Sequence, residues 1–224
     1  MRRFLKHNGL SLFFLVLFLA AVFGQAVAGH ADFNEQQVRH GDPEISLTRY
    51  VVSSDYGTAV MENWQSEYLQ FTLFVLATVW LLQRGSPESK ELDKPGLESD
   101  KDQQVGEHAQ RNSPRWAKLG GIRRTLYENS LLLVMGTIWL GTWFAQSVTG
   151  VTQYNSERLD HHMDGVSWSE YLTRADFWEK TLQNWQSEFL AVGSMAILAV
   201  YLRQRGSPES KPVGAPHTAT GVEG

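Results

Sequence analysis

The chain has 224 residues, with 20 lysines and arginines against 24 aspartates and glutamates, which gives a formal net charge of −4. It contains no cysteine, and this excludes disulfides and thiolate metal sites. The mean hydropathy of −0.28 is that of a soluble protein, but only because polar segments dilute four apolar runs.

The apolar residues are gathered into four long runs. About 20 apolar residues, each adding about 1.5 Å, cross a hydrocarbon layer of about 30 Å, so each run is long enough to span a bilayer. No lysine, arginine or aspartate interrupts them, and their acids are Glu67 and Glu188. The fold class that we predict is an all-α membrane protein with four transmembrane helices. The predicted spans are residues 10–28, 64–82, 130–148 and 185–202.

The first run has a second interpretation, as a cleaved signal sequence. A basic start precedes it, and the Ala-Val-Ala stretch at 26–28 would suit a signal peptidase. Its counterpart near residue 130, however, lies mid-chain, where no signal peptide can be. We therefore expect the first run to be retained as a membrane span.

The chain is similar to itself at a shift of 121 residues. This shift aligns residues 2–90 with residues 123–211 without a gap, and about a third of the positions are identical. The densest identities are the pentapeptide NWQSE, at 63–67 and 184–188, and the octapeptide QRGSPESK, at 83–90 and 204–211. The pattern predicts two tandem two-span repeats.

The repeats define the predicted domain organisation. The segment between them is polar, mixed in charge and nearly free of aliphatic residues, so it cannot form a core. We predict a first repeat at 1–90, a flexible cytoplasmic linker at 91–118, a second repeat at 119–211 and a disordered tail at 212–224.

Basic residues predict the orientation. Lysines and arginines flank all four spans on one side, whereas residues 30–62 hold two arginines against six acids. By the positive-inside rule both termini and the linker are cytoplasmic, and the two acidic loops face outward. Each repeat crosses twice, so both insert with the same polarity and form a parallel pair.

The two outer loops carry signals for short helices. Ser167 and Glu170 have the spacing of a capping box, as do Asp176 and Glu179, and Asp55 is the cap candidate of the first loop. Aromatic and aliphatic residues recur between these positions. We therefore expect a short amphipathic helix in each outer loop.

The pentapeptides lie at the predicted outer ends of the second and fourth spans. We hypothesise that Gln25 hydrogen-bonds Glu67, because a carboxylate at that depth is costly without a partner. The same argument pairs Gln146 with Glu188. Alternatively, both glutamates face headgroup water, or they meet and bind a cation. The candidate motif residues are Gln25, Asn63, Trp64, Glu67, Gln146, Asn184, Trp185 and Glu188.

The octapeptides lie at the inner ends of the same spans. Glycine suits the left-handed position after a helix, proline blocks further helix, and arginine complements the helix C-terminus and lipid phosphates. We interpret each copy as a helix stop with a positive flank, and docking of a partner is the alternative. The residues concerned are Arg84, Gly85, Pro87, Arg205, Gly206 and Pro208.

The sequence contains no legible pattern for chemistry. The stretch DHHMD at 160–164 suggests metal ligands, but His161 alone has a histidine counterpart, His40, and we interpret the stretch as a solvated loop. We predict no catalytic residue, no cofactor and no metal. The expected partners are the lipid bilayer and, as an option, a second copy of the chain. No nucleic acid is expected, and a protein partner cannot be named.

The paired motifs carry a resemblance to a known family. The start RRFLKHNGLSL, the outer segments GQAVAG and AQSVTG, and the repeated NWQSEYL/NWQSEFL and QRGSPESK resemble small bacterial multi-pass membrane proteins known only as a domain of unknown function. The resemblance covers both repeats. It implies a bacterial inner (plasma) membrane location and supplies no activity.

Three functions remain open at this point. The leading one is a non-enzymatic structural or envelope-associated factor that acts through its outer loops and its own dimerisation. The alternative is a small transporter or channel working as an oligomer, for which water in the interior would be favourable. The second alternative is an interfacial membrane enzyme using Glu67 and Glu188, which requires a cleft large enough for a lipid headgroup.

Overall fold

The computed structural model describes residues 2–222 and consists of helices joined by turns and irregular segments. No strand occurs within that range, so the prediction of an all-helical fold is confirmed. The long helices are α2 (Gly9–His40), α4 (Ser54–Trp80), α6 (Ser130–Asp160) and α8 (Ala175–Tyr201). The short ones are α1 (Arg2–His7), α3 (Leu47–Tyr50), α5 (Ile122–Glu128) and α7 (Trp168–Tyr171), with 3-10 turns at Gly106–His108 and Arg115–Lys118.

The helices recur with the period found in the sequence. The helices α7 and α8 begin and end 121 residues after α3 and α4, respectively. The helix α6 begins 121 residues after α2 and ends 120 residues after it. Local structure therefore follows the same spacing as the sequence identities.

Two helices, α2 and α6, are long and apolar enough to cross a membrane. In their most apolar windows of 18 residues, 6% of α2 and 17% of α6 is buried within the protein. Both helices continue 12 residues beyond the predicted span ends, from 28 to 40 and from 148 to 160. They therefore extend well into the acidic loops.

The C-terminal ends of α2 and α6 are formed alike. Gly41 follows α2 with φ 84°, in the left-handed conformation, and its N–H donates to Val38 O at 3.1 Å. The equivalent residue after α6 is His162, which has φ 58°. Glycine adopts this conformation without strain, whereas a residue with a Cβ is uncommon there.

The short helices of the outer loops are single turns with serine caps. Ser46 Oγ accepts a hydrogen bond from Arg49 N at 3.3 Å, and Ser167 Oγ accepts one from Glu170 N at 3.2 Å. Each hydroxyl satisfies an N–H that the helix leaves open.

The predicted aspartate caps lie elsewhere than expected. Asp55 and Asp176 both belong to the first turn of their long helix and are not N-caps. Ser53 precedes α4 instead, and its Oγ accepts from Tyr56 N at 3.3 Å. A carboxylate in the first turn is still stabilised by the positive end of the helix dipole, which explains why an aspartate occurs at both positions.

The chain divides into two compact units. The first comprises Met1–Met61 and Gln146–Tyr171, and the second comprises Glu62–Ala145 and Leu172–Gly224. Each unit takes residues from both halves of the sequence. Residues 30–61 and 151–171 of the outer loops belong to the first unit, and both copies of the pentapeptide and of the octapeptide belong to the second.

Candidate functional site at the repeated motifs

The two pentapeptides contact each other within the second unit. Trp185 Nε1 on α8 donates to Gln65 Oε1 on α4 at 2.8 Å. Ser66 Oγ donates to Glu188 Oε1 at 3.4 Å. The structure thus brings together two segments that the sequence placed only at equivalent positions.

The two pentapeptides have different surroundings despite their identical letters. Gln65 and Ser66 are 0% and 1% exposed, whereas Gln186 and Ser187 are exposed. In the described part of the chain, Gln65 Nε2 is buried without a hydrogen-bond partner. Such a donor costs about 1–3 kcal/mol, so this face of α4 carries a polar group at an energetic disadvantage.

The remaining motif residues lie nearer the surface. Asn63, Trp64 and Glu67 are exposed, with Trp64 at 37%. Asn184 Nδ2 donates to Lys180 O at 2.8 Å, one turn back along α8. Exposure therefore distinguishes Asn63, Trp64 and Glu67 from the buried Gln65 and Ser66 between them.

The predicted glutamine–glutamate pairs join residues of different units. Gln25 and Gln146 belong to the first unit, and Glu67 and Glu188 belong to the second. Gln25 is exposed, whereas Gln146 is 1% exposed. Both pairs stay predictions, as does a cation between the two glutamates.

An aromatic cluster surrounds Trp143 of α6 in the second unit. Four ring centroids lie between 5.6 and 6.2 Å from that of Trp143, those of Trp139, Phe177, Trp178 and Trp185. Trp143 Nε1 donates to the hydroxyl of Thr181, which is 0% exposed, at 3.4 Å. Aromatic pairs at these distances attract beyond the area they bury, so the cluster anchors α6 to α8. Sequence reasoning gave Trp143 no role.

One asparagine fixes each outer loop in the first unit. Asn34 Oδ1 accepts from Ile45 N at 2.9 Å, and its Nδ2 donates to Ile45 O at 3.0 Å. Asn155 makes the same pair of bonds with Val166, at 2.7 and 2.9 Å. His30 Nε2 also lies within hydrogen-bond distance of Ile45 O, at 2.6 Å.

A buried tyrosine packs against a glycine in each outer loop. Tyr50 is 6% exposed and Tyr171 is 1% exposed. The Tyr50 hydroxyl lies against Gly29, and a Cβ on Gly150 would stand 2.6 Å from the Tyr171 hydroxyl. Glycine is therefore required at both positions. The sequence alignment marks these four residues as identical pairs, but it gives them no contact.

The buried tyrosine of the first loop is also electrostatically shifted. Burial raises the pKa of Tyr50, and the negative charge of Asp55 adds to that effect. The hydroxyl is accordingly held neutral, which suits its packing against a glycine backbone.

Both octapeptides form the same turn in the second unit. Ser89 Oγ accepts from Gln83 N at 3.0 Å, and Ser210 Oγ accepts from Gln204 N at 2.9 Å. These serines lie six residues after the amides they bind. The turn is thus closed from within the octapeptide.

The glycines of the octapeptides adopt the left-handed conformation, with φ 85° at Gly85 and 82° at Gly206. The helices end five residues earlier, at Trp80 and Tyr201, so the glycines shape the following turn and are not helix C-caps. Arg84 and Arg205 are exposed, and Pro87 is buried whereas Pro208 is exposed.

The lysine that ends each octapeptide holds the segment after it. Lys90 Nζ donates to Gly96 O at 2.9 Å, and Lys211 Nζ donates to His217 O at 2.9 Å. Lys211 is 1% exposed, and burial lowers its pKa. The repeat in local structure therefore continues past the octapeptides.

The tail also binds the first octapeptide. Gly85 N donates to Thr220 Oγ1 at 2.9 Å, and Gly221 N donates to Ser86 O at 3.0 Å. The predicted flexibility of the linker and disorder of the tail stay predictions, and residues 223–224 of that tail lie outside the described residues.

The two octapeptides meet through their glutamates. The Glu88 carboxyl is hydrogen-bonded to the Glu209 carboxyl. Burial, this hydrogen bond and the charge of Glu209 raise the pKa of Glu88 to about 7. Glu88 therefore gains and loses its proton near neutral pH.

Two adjoining cavities, of about 310 and about 190 Å³, lie between α4 and α8 in the second unit. Phe74, Glu88 and Val192 line both of them. The larger is also lined by Gln70, Phe71, Ala191 and Met195. Within residues 2–222, Gln70 Oε1 is buried without a hydrogen-bond partner.

A further cavity, of about 500 Å³, lies at the ends of α2 and α6 in the first unit. His40, His161 and His162 line it together with Asp42, Glu157, Leu159 and Asp160. Across the described chain, no three or more of the histidines and acids are placed to hold a metal ion. His40 of α2 and two histidines of the stretch DHHMD thus line one cavity.

Fold and site together define the class: an all-helical protein with two helices suited to crossing a membrane. The chain belongs to a family described as a domain of unknown function, DUF6766, whose model matches residues 1–222. No curated protein and no solved structure matches the chain.

Proposed function

We propose that the chain is an integral protein of a bacterial inner membrane. The observation that carries this proposal is the exposure of α2 and α6, whose apolar windows are 6% and 17% buried. In a soluble protein nearly all of that apolar surface would be in contact with water. This exposure costs about 25 cal/mol of free energy for each Å². A bilayer covers it instead, and the mid-chain position of α6 is incompatible with a signal peptide.

The proposed architecture has four crossings, made by two tandem copies of one two-helix unit in the same orientation. Recurrence of the helices, the asparagine bonds, the tyrosine–glycine contacts and the octapeptide turns after 121 residues supports it. The helices α4 and α8 are the two further spans, and the polar pentapeptides make them less apolar than α2 and α6. Both termini and residues 91–118 are on the cytoplasmic side.

Cysteine labelling tests this topology cleanly, because the chain has no cysteine of its own. In intact spheroplasts, a membrane-impermeant maleimide should label the exposed loop variants Asp42→Cys and Asp164→Cys. It should label the linker variant Ser99→Cys only after lysis. Labelling of Ser99→Cys in intact spheroplasts would refute the orientation, and recovery of the protein in the soluble fraction would refute the membrane location.

The proposed role is that of a non-enzymatic structural factor acting through its outer loops and through self-association. Support comes from the two loops, each fixed by an asparagine and a tyrosine, and from the exposed Gln186 and Ser187 of the second pentapeptide. Native mass spectrometry of the detergent-solubilised protein tests self-association. A mass of twice 25.3 kDa is expected, and a monomer at every concentration would contradict it.

A small transporter is the second candidate function. It is favoured by the pair of cavities between α4 and α8, because their shared lining includes the carboxyl of Glu88. Ionisable groups within membrane spans mark substrate or proton paths, and Glu88 lies eight residues after α4, beside the inner end of that proposed span. Flux of a labelled cation into proteoliposomes separates this candidate from a purely structural role.

A further inference from the structure

The larger α4–α8 cavity has the character of a binding site for a small molecule. Its volume of about 310 Å³ lies at the lower end of the range for ligand pockets. Its walls are apolar, with the rings of Phe71 and Phe74 on α4 facing Val192 and Met195 on α8. A ligand that fits must therefore carry an apolar body.

The polar groups of this cavity include two hydrogen-bond acceptors. Gln70 Oε1 is buried and, among the described residues, unpaired, and Glu88 supplies a carboxyl. The lining residues that the structure describes include no lysine or arginine to neutralise that carboxyl. Aromatic faces next to it attract positive charge as well. The cavity is thus suited to a cation.

The surroundings of Glu88 favour its protonated form, so a proton competes with a bound cation for this carboxyl. The charged group that faces Glu88 is Glu209, on the segment after α8, while α4 and α8 contribute uncharged side chains. Lys90, two residues away, is engaged by Gly96 O and by Glu98 at 2.8 Å. Two carboxyls without a basic partner hold either a proton or another cation between them.

We propose that the α4–α8 cavity binds a small organic cation with an apolar body, whose charge is neutralised by Glu88 in exchange for a proton. Glu209, which is hydrogen-bonded to Glu88, raises the proton affinity of that carboxyl. The inference rests on the transporter candidate and names its substrate class. In this exchange the O–H bond of the carboxyl breaks, the proton bonds to water as hydronium, and the carboxylate that is left balances the charge of the arriving cation.

The binding test uses the full-length protein in lipid nanodiscs and benzyltrimethylammonium as the probe. Isothermal titration calorimetry measures the affinity. The pKa of Glu88 is about 7, so a competing proton should weaken binding about tenfold at about pH 6 relative to about pH 8.5. The uncharged isostere neopentylbenzene is the matched control. Equal, pH-independent binding of both compounds would show a site for apolar chains alone and would overturn the proposal.

Variants assign the effect to individual side chains. Glu88→Gln should lower probe affinity more than tenfold and abolish its pH dependence. Glu209→Gln removes the like charge, so binding at about pH 6 should become tighter. The exposed Glu91, which pairs with Lys94, provides the control Glu91→Gln, which should bind as the wild type does. Unchanged binding by Glu88→Gln would refute the site.

A variant that leaves the carboxyls in place guards against misfolding. Met195→Trp fills the cavity and should abolish binding, with helix content unchanged by circular dichroism. The experiments distinguish a wrong binding site from a wrong transport function. Binding without flux in proteoliposomes keeps the site and refutes transport, whereas absence of binding in wild-type nanodiscs refutes the site itself.

Discussion

The two pentapeptides have the same five letters and opposite surroundings. On α4, Gln65 and Ser66 are buried and accept or donate hydrogen bonds across to α8. On α8, Gln186 and Ser187 are exposed. The octapeptides differ in the same direction, since Pro87 is buried and Pro208 is exposed. Identical sequence has thus been retained where the packing is not equivalent.

The outer loops behave differently from the pentapeptides. In the first unit, Tyr50 and Tyr171 are both buried, and each packs on a glycine. Contacts inside one copy of the repeat depend on its own sequence, so they recur. Contacts between copies use one face of each helix, and the two faces need not match. This difference predicts which pairs of equivalent mutations have equal effects.

The largest expected effect comes from the buried tyrosines, whose two copies should behave alike. Tyr171→Ala and Tyr50→Ala should each lower the free energy of unfolding by about 3–5 kcal/mol, because a large buried ring is lost. Titration with a denaturing detergent measures this. Tyr127, at 39% exposed, is the control. Losses no larger than that of Tyr127→Ala would contradict the packing described.

The asparagines sharpen the comparison, because the first loop has His30 where the second has Val151. Asn155→Ala should cost about 1–3 kcal/mol, since both backbone groups of Val166 lose their partner. Asn34→Ala should cost less, because His30 still binds Ile45 O. Adding His30→Ala should then bring the first loop to the level of Asn155→Ala, and equal single-mutant costs would argue against this compensation.

The pentapeptides should show the opposite outcome, with unequal effects from equivalent changes. Gln65→Ala removes the acceptor of Trp185 Nε1 and should destabilise by about 1–3 kcal/mol. Gln186→Ala changes an exposed side chain and should stay within about 0.5 kcal/mol. The same unfolding assay compares them. Matching effects would mean that the two helices pack symmetrically.

The smallest effect expected is the pH dependence contributed by Glu88. The folded state raises its pKa from 4.5 to about 7, so between these values the folded protein binds more protons than the unfolded chain. This contribution to stability is complete below about pH 4.5 and is lost as pH rises through about 7. Glu88→Gln should flatten that decline, as the difference between wild-type and variant unfolding curves across pH will show. A decline of equal slope in both would assign it to other groups.

Sequence reasoning was most successful for the helices. Apolar runs predict their cores, and the 121-residue shift predicts that helix boundaries recur, as α4 and α8 do. The helices α2 and α6 continue 12 residues past the predicted spans, because the acidic loops extend each helix with polar residues that a hydropathy pattern does not detect.

The candidate site was less accessible from sequence. The Tyr171–Gly150 contact joins residues 21 positions apart, and nothing in periodicity pairs them, although both stand out as identities. The meeting of Glu88 with Glu209 was missed because the basic residues of the octapeptide suggested only a flank. The unequal burial of Gln65 and Gln186 could not be predicted, since their local sequences are the same.

The hydrogen bonds between the tail and the first octapeptide have a consequence for the order of synthesis. Gly85 and Ser86 leave the ribosome early, yet their partners Thr220 and Gly221 are translated about 135 residues later. The first turn must therefore persist, half completed, while the whole second half of the polypeptide is being made. Nascent chains arrested before residue 220 should consequently be more open to proteolysis at this turn than released ones.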